Sequence, residues 1–209
     1  MPDPRDDLYE RIREDIASER GALAWIRARP TPLRAALLGA LGFGGAVALI
    51  AAMRPESFTR PRTLGWAIGL TGAIAMTAVA MAALLRPVHA DGWSPLRRRL
   101  VAAAIALGAL GALTLAGDGS LGALGTGHCL MMGAVASLPT FVAALLLDRH
   151  PRRGALFAAL SATLVGALTL QVMCRGRSLL HLVTEHFGVV LAGGLFYFSV
   201  AALLARVRR

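Results

Sequence analysis

Lysine is absent from the chain: all 22 basic residues are arginine. A basic balance built from arginine alone fits a GC-rich coding sequence better than a nucleic-acid footprint, so the net charge of +10 has to be located before it is assigned a partner. Acids are few, 12 in all, and seven of them (Asp3, Asp6, Asp7, Glu10, Glu14, Asp15 and Glu19) crowd the first 19 positions. Cysteine is scarcer still. Two residues, Cys129 and Cys174, exclude a disulfide-rich secreted scaffold and leave one possible internal bridge. No nucleophile elbow, phosphate-binding glycine loop or HExxH helix occurs, which removes the commonest hydrolase, nucleotide-binding and zinc-peptidase classes.

What the sequence has in abundance is apolar and small residues. They reach 56% apolar with mean hydropathy +0.61 and 23 glycines, a composition that suits helices in lipid better than a water-soluble core. Lipid offers no partner to a bare amide, so each crossing needs roughly 20 apolar residues in a helix. Six windows qualify: residues 35–53, 64–85, 100–116, 128–147, 154–173 and 181–205. The expected fold is therefore all-α, a six-transmembrane-helix bundle (35–209) preceded by a cytoplasmic segment (1–34). With both termini inside, the inner segments carry 17 arginines and the outer ones five, although Arg54, Arg60 and Arg62 of the first outer loop oppose the trend. The expected location is a membrane crossed six times with both termini cytoplasmic, the first span being kept as an anchor and not cleaved as a leader. The glycines, for example Gly65 and Gly69, read as close-packing sites. Loops of about 7 to 14 residues leave no room for an enzyme-sized domain, and the chain is not expected to be an enzyme.

Residues 3–29 form an amphipathic pattern in which Leu8, Tyr9, Ile12, Ile16, Leu23 and Ile26 share roughly one 100° sector. The acidic remainder suits anionic lipid poorly, which favours a protein partner docking on Leu8, Tyr9, Ile12, Ile16 and Leu23. A solvated helix that shields its stripe against the loops is the plainer alternative. Pro30 and Pro32 are expected to end this helix before the first span.

The second feature is a cluster at the opposite face. His128 and Cys129 begin span four, Cys174 ends span five, and His181, Glu185 and His186 begin span six. Ionisable groups are rare at such depths without a partner or a role. Thiolate and imidazole are ligands for Zn or Cu, with Glu185 placed to orient the His181 ring. The two thiols alone offer a structural disulfide, and unrelated placement is the third reading. On an α-helix His181 and His186 diverge by about 140°, so the pair is not expected to hold one haem iron. Pro139 is expected to kink span four, with Ser137 satisfying the freed carbonyl, and Gln171 to act as interhelical glue. No span carries a charged residue at its midplane, which argues against transport.

Several of these residues carry a resemblance. The head ending in ARPTPLR, the LLRP of residues 84–87, Cys129 followed by Ser137-Leu138-Pro139, and Cys174 followed by HLVTEHFG (181–188) together resemble the six-span bacterial membrane-bound anti-sigma factors of the NrsF and CarR type. The resemblance implies that the head sequesters an extracytoplasmic-function sigma factor and binds no nucleic acid directly. It further implies that an envelope redox or metal stress reaching the pair Cys129 and Cys174 relaxes the hold. The rival expectation is a membrane redox protein using the same pair with haem or quinone.

Overall fold

The computed structural model describes residues 22–59, 63–86, 92–122, 127–148 and 151–207, with backbone alone for 22–24, 151–153, 205 and 207. The expected all-α fold is what it contains. A short helix, α1 (Ala22–Arg27), is followed by α2 (Thr31–Met53), a 3-10 turn at Pro55–Ser57, α3 (Leu64–Leu84), α4 (Pro95–Leu115), α5 (His128–Leu147) and α6 (Pro151–Met173). The chain finishes in a composite last helix: α7 (Leu179–His181), π-helical stretches at Leu182–Phe187 and Val189–Gly193, and α8 (Gly194–Val207). Six of these helices are long and apolar enough to cross a membrane.

The helix boundaries have local causes. Ser94 and Thr63 accept hydrogen bonds from the N–H groups of Arg97 and Trp66, capping α4 and α3, and Pro95 occupies the first turn of α4, where its missing donor costs nothing. The third span therefore starts five residues earlier than residue 100, and Arg97, Arg98 and Arg99 ride on its first turns instead of in a loop. Pro30 is the residue that caps α2, and Pro32 lies in its first turn. The preceding α1 stops at Arg27, so the expected helix break at these prolines is present. The stripe residues Leu8, Tyr9, Ile12 and Ile16 lie outside the described residues, as does the side chain of Leu23.

α6 is the mast of the bundle, with 89% of its most apolar window buried against 22–44% for the other five spans. Its sequence explains this position: alanine, serine, threonine and glycine recur on every face, so neighbours approach from all sides. The hydroxyls of Thr163 and Thr169 donate to the carbonyls of Ala159 and Val165 within the helix, which makes their burial inexpensive. At the α5–α6 crossing, a side chain on Gly166 would overlap the Ser137 hydroxyl and the Gly133 carbonyl, so the two backbones are nearly in contact. Gly65 and Gly69 do the same for α3 against the carbonyls of Leu115 and Ala112 on α4. The close contacts at Gly65 and Gly69 are the packing role read from the sequence.

Three local expectations need correction. Ser137 Oγ donates to Gly133 O at 2.8 Å and not to the carbonyl of Val135, the one Pro139 leaves without a donor, because the Gly133–Gly166 contact holds the hydroxyl on the inner face. Gln171 links α6 to α3 through its backbone carbonyl, which accepts from Trp66 Nε1 at 3.2 Å, while its side-chain oxygen has no hydrogen-bond partner among the described residues. The third concerns the last helix. A π-helix bonds residue i to i+5, so residues five apart come to lie about one turn apart. The stretch Leu182–Phe187 thereby brings His181 and His186 to the same side, ring centroids 5.3 Å apart, where α-helical geometry would have separated them.

Candidate functional site

At the end of the bundle remote from α1, the first turn of α5, the residue after α6 and the start of the last helix converge. Cys129 is the second residue of α5 and Cys174 directly follows α6. Their sulfurs lie 2.8 Å apart and both are free thiols. The ligand atoms of Cys129, Cys174 and His181 all fall within 4.8 Å of one another. His181 is held by close approach to Gly176, where an added side chain would meet the imidazole at 2.9 Å. Its Nε2 is buried without a hydrogen-bond partner among the described residues. These three of the six expected residues form one site.

The other three are placed differently. His128 is exposed and lines the mouth. Glu185 does not orient His181: its carboxylate accepts from the backbone N–H groups of Gly127 and of Leu130, the latter at 2.7 Å, capping α5 from another helix. The carboxylate is 3% exposed, and the two charge-assisted bonds, each about 1.5–3 kcal/mol, together with the positive end of the α5 dipole offset its burial. Gly127 makes this geometry possible, because its φ of 78° lies in the left-handed region that other residues enter at a cost. His186 is 1% exposed, beneath His181, with no hydrogen-bond partner at either ring nitrogen among the described residues.

The site opens into a cleft of about 340 Å³, lined by Met53, Met132, Met173 and Arg54 as well as by the thiols and His181. The three thioethers were not expected. Their signal was present as Met131-Met132 shortly after Cys129 and Met173 immediately before Cys174, but two of them occupy the ends of other elements and only the fold gathers them. Burial, reinforced by the Cys129 thiol against it, pushes the Cys174 thiol well above the ordinary cysteine range. The surrounding loops are locked together: Asp118 N–H donates to Arg177 O, and Leu179 and Leu180 donate to the carbonyls of Ser120 and Leu121. Hydrogen bonds from the hydroxyl and backbone of Ser120 hold the exposed Asp118 carboxyl below its usual value.

Chemically, the arrangement offers two-thiol oxidation and soft-ion binding. Two thiolates and an imidazole match the Cys₂His set of zinc and, with thioethers alongside, of monovalent copper, so the residues present fit a thiophilic ion. Haem has less support, since the two histidines lie on one helix one above the other, with His186 enclosed. No protein-family model matches the chain, and comparisons with curated proteins and with solved structures give no match.

Proposed function

We propose that this protein is a membrane-bound anti-sigma factor of the bacterial inner membrane, whose segment 1–34 sequesters an extracytoplasmic-function sigma factor in the cytoplasm. The pair Cys129 and Cys174, facing the periplasm, receives a redox or thiophilic-metal signal that relaxes the hold. The observation that carries the reading is the convergence of two free thiols and an imidazole whose Nε2 has no hydrogen-bond partner among the described residues, at the end of the bundle away from α1. A chemically responsive site at one end and a short acidic docking arm at the other are the parts of a transmembrane sensor. The arginine tally supports the sidedness, and the lack of any long loop argues against catalysis outside the membrane.

The test is capture. Tagged full-length protein in detergent is expected to retain a sigma factor identified by mass spectrometry, and Ile12→Asp with Ile16→Asp is expected to abolish that capture. Oxidant or a thiophilic metal should reduce capture by the parent protein and leave Cys129→Ser unaffected. Full binding by the double aspartate variant would contradict the docking stripe, and a Soret band in the purified protein would favour the redox reading instead.

A further inference from the structure

α5 is held at both ends by charged side chains from other parts of the chain. At its N-terminus the two oxygens of Glu185 take the N–H groups of Gly127 and Leu130, which bracket His128 and Cys129. At its C-terminus Arg27 Nε donates to Leu146 O at 2.9 Å and Arg34 Nη1 to Leu147 O at 2.9 Å, with a longer bond from Arg27 to Leu145 O. Arg34 is 3% exposed and also donates to Thr31 Oγ1. The carboxylate meets the positive end of the helix dipole and the guanidinium groups meet the negative end, so each clamp has the favourable sign. The two clamps belong to different regions. One shares its helical turn with Cys129, and the other lies in residues 22–34, which lead from the amino-terminal arm into α2.

We propose that α5 is a coupling rod: bonding at Cys129 and the docking of residues 22–34 on the far end of α5, about 25 Å away, are linked equilibria. The thiol site rests on the proposed function only for its natural stimulus. Oxidation of the two thiols removes two protons and two electrons and ties Cys129 to Cys174, which belongs to the end of α6. The first turn of α5 must then follow its sulfur, while Glu185 stays with the last helix. The backbone contact at Gly133 and Gly166 fixes the rod laterally and gives it a pivot, and α5 runs as one continuous helix from His128 to Leu147 across Pro139. A change of angle at the first turn is therefore delivered to the carbonyls of Leu145, Leu146 and Leu147. Coupling of this kind is reciprocal, so loosening the arginine clamp must also alter the thiols.

Hydrogen exchange read by mass spectrometry on the full chain in nanodiscs tests this, with diamide as the two-electron, two-proton acceptor. In the oxidised protein and in Glu185→Gln, amides of residues 22–34 are expected to exchange at least about threefold faster than in the reduced parent. Arg34→Ala is expected to change the alkylation rate of Cys129 by a similar factor. Gly69→Ala, which loosens α3 against α4 and touches neither clamp, controls for general loosening and should do neither. Unchanged exchange on oxidation, or exchange that responds to oxidation but not to Glu185→Gln, overturns the proposal. Since no sigma factor is in the assay, accelerated exchange supports the coupling whatever the capture experiment returns, and failed capture counts against the anti-sigma reading alone.

Discussion

Two glycine-to-alanine substitutions on different helices are expected to move stability in opposite directions. In a helix interior, alanine gains roughly 0.5–1 kcal/mol over glycine through the smaller entropy loss of the backbone. On α2, Gly45 has nothing within 4 Å of where a Cβ would stand, so Gly45→Ala should keep that gain. At Gly166 the new methyl would overlap the Ser137 hydroxyl and the Gly133 carbonyl. The hydroxyl could rotate only by giving up its 2.8 Å bond to Gly133 O, and the carbonyl is backbone, so α5 must back away from α6. Overpacking of that kind costs about 1–3 kcal/mol, which outweighs the propensity gain and leaves Gly166→Ala destabilised by roughly 1–2 kcal/mol. Thermal denaturation in detergent followed by circular dichroism should show a Tm about 2–8 °C lower for Gly166→Ala and unchanged or higher for Gly45→Ala. Equal shifts for the two variants, or a more stable Gly166→Ala, would refute the claim that backbone contact at this crossing holds the bundle together.

Replacing Arg34 by Ala deletes a buried charge-assisted bond and leaves the last carbonyl of α5 without its donor, so chemical denaturation should report a loss of roughly 1.5–3 kcal/mol. Gly127→Ala should cost about 1–2 kcal/mol by the same assay, since a Cβ is forced into the left-handed region at φ 78°. Because the neutral thiol of Cys174 is favoured by burial, its alkylation should be slow at neutral pH and still climbing past pH ~10, where a thiol with the ordinary midpoint of about 8.5 has levelled off; a plateau by that pH would contradict the assignment. One equivalent of Zn(II) or Cu(I) should be retained against a competing chelator by the parent protein and lost in Cys174→Ser and His181→Ala, and equal retention in all three would remove the ion from the site's chemistry.

The spans were legible because lipid imposes one rule on every crossing, and the windows from 128 and 154 match α5 and the described part of α6 closely. The start of α4 was missed because three consecutive arginines look like a loop, whereas their long stems carry the charge out of the membrane from the helix itself. Cys129, Cys174 and His181 could be grouped from the order of span ends alone. The capping role of Glu185 could not, since it depends on which helix stands beside α5, a tertiary fact without any sequence period. Nor could the meeting of His181 and His186, because the residue spacing is read with the α-helical repeat and nothing in HLVTEHF announces a π-helix. Residues 1–21, which carry most of the acidic arm, lie outside the described structure, so the docking stripe still rests on its periodicity.

Sidedness is the claim on which the sensor account stands, and a charged, membrane-impermeant methanethiosulfonate applied to intact spheroplasts tests it most directly. The account predicts that the reagent modifies Cys129 and Cys174 but spares a cysteine introduced by Pro2→Cys in a protein lacking the native pair. Modification of the introduced cysteine with protection of the native two would contradict it.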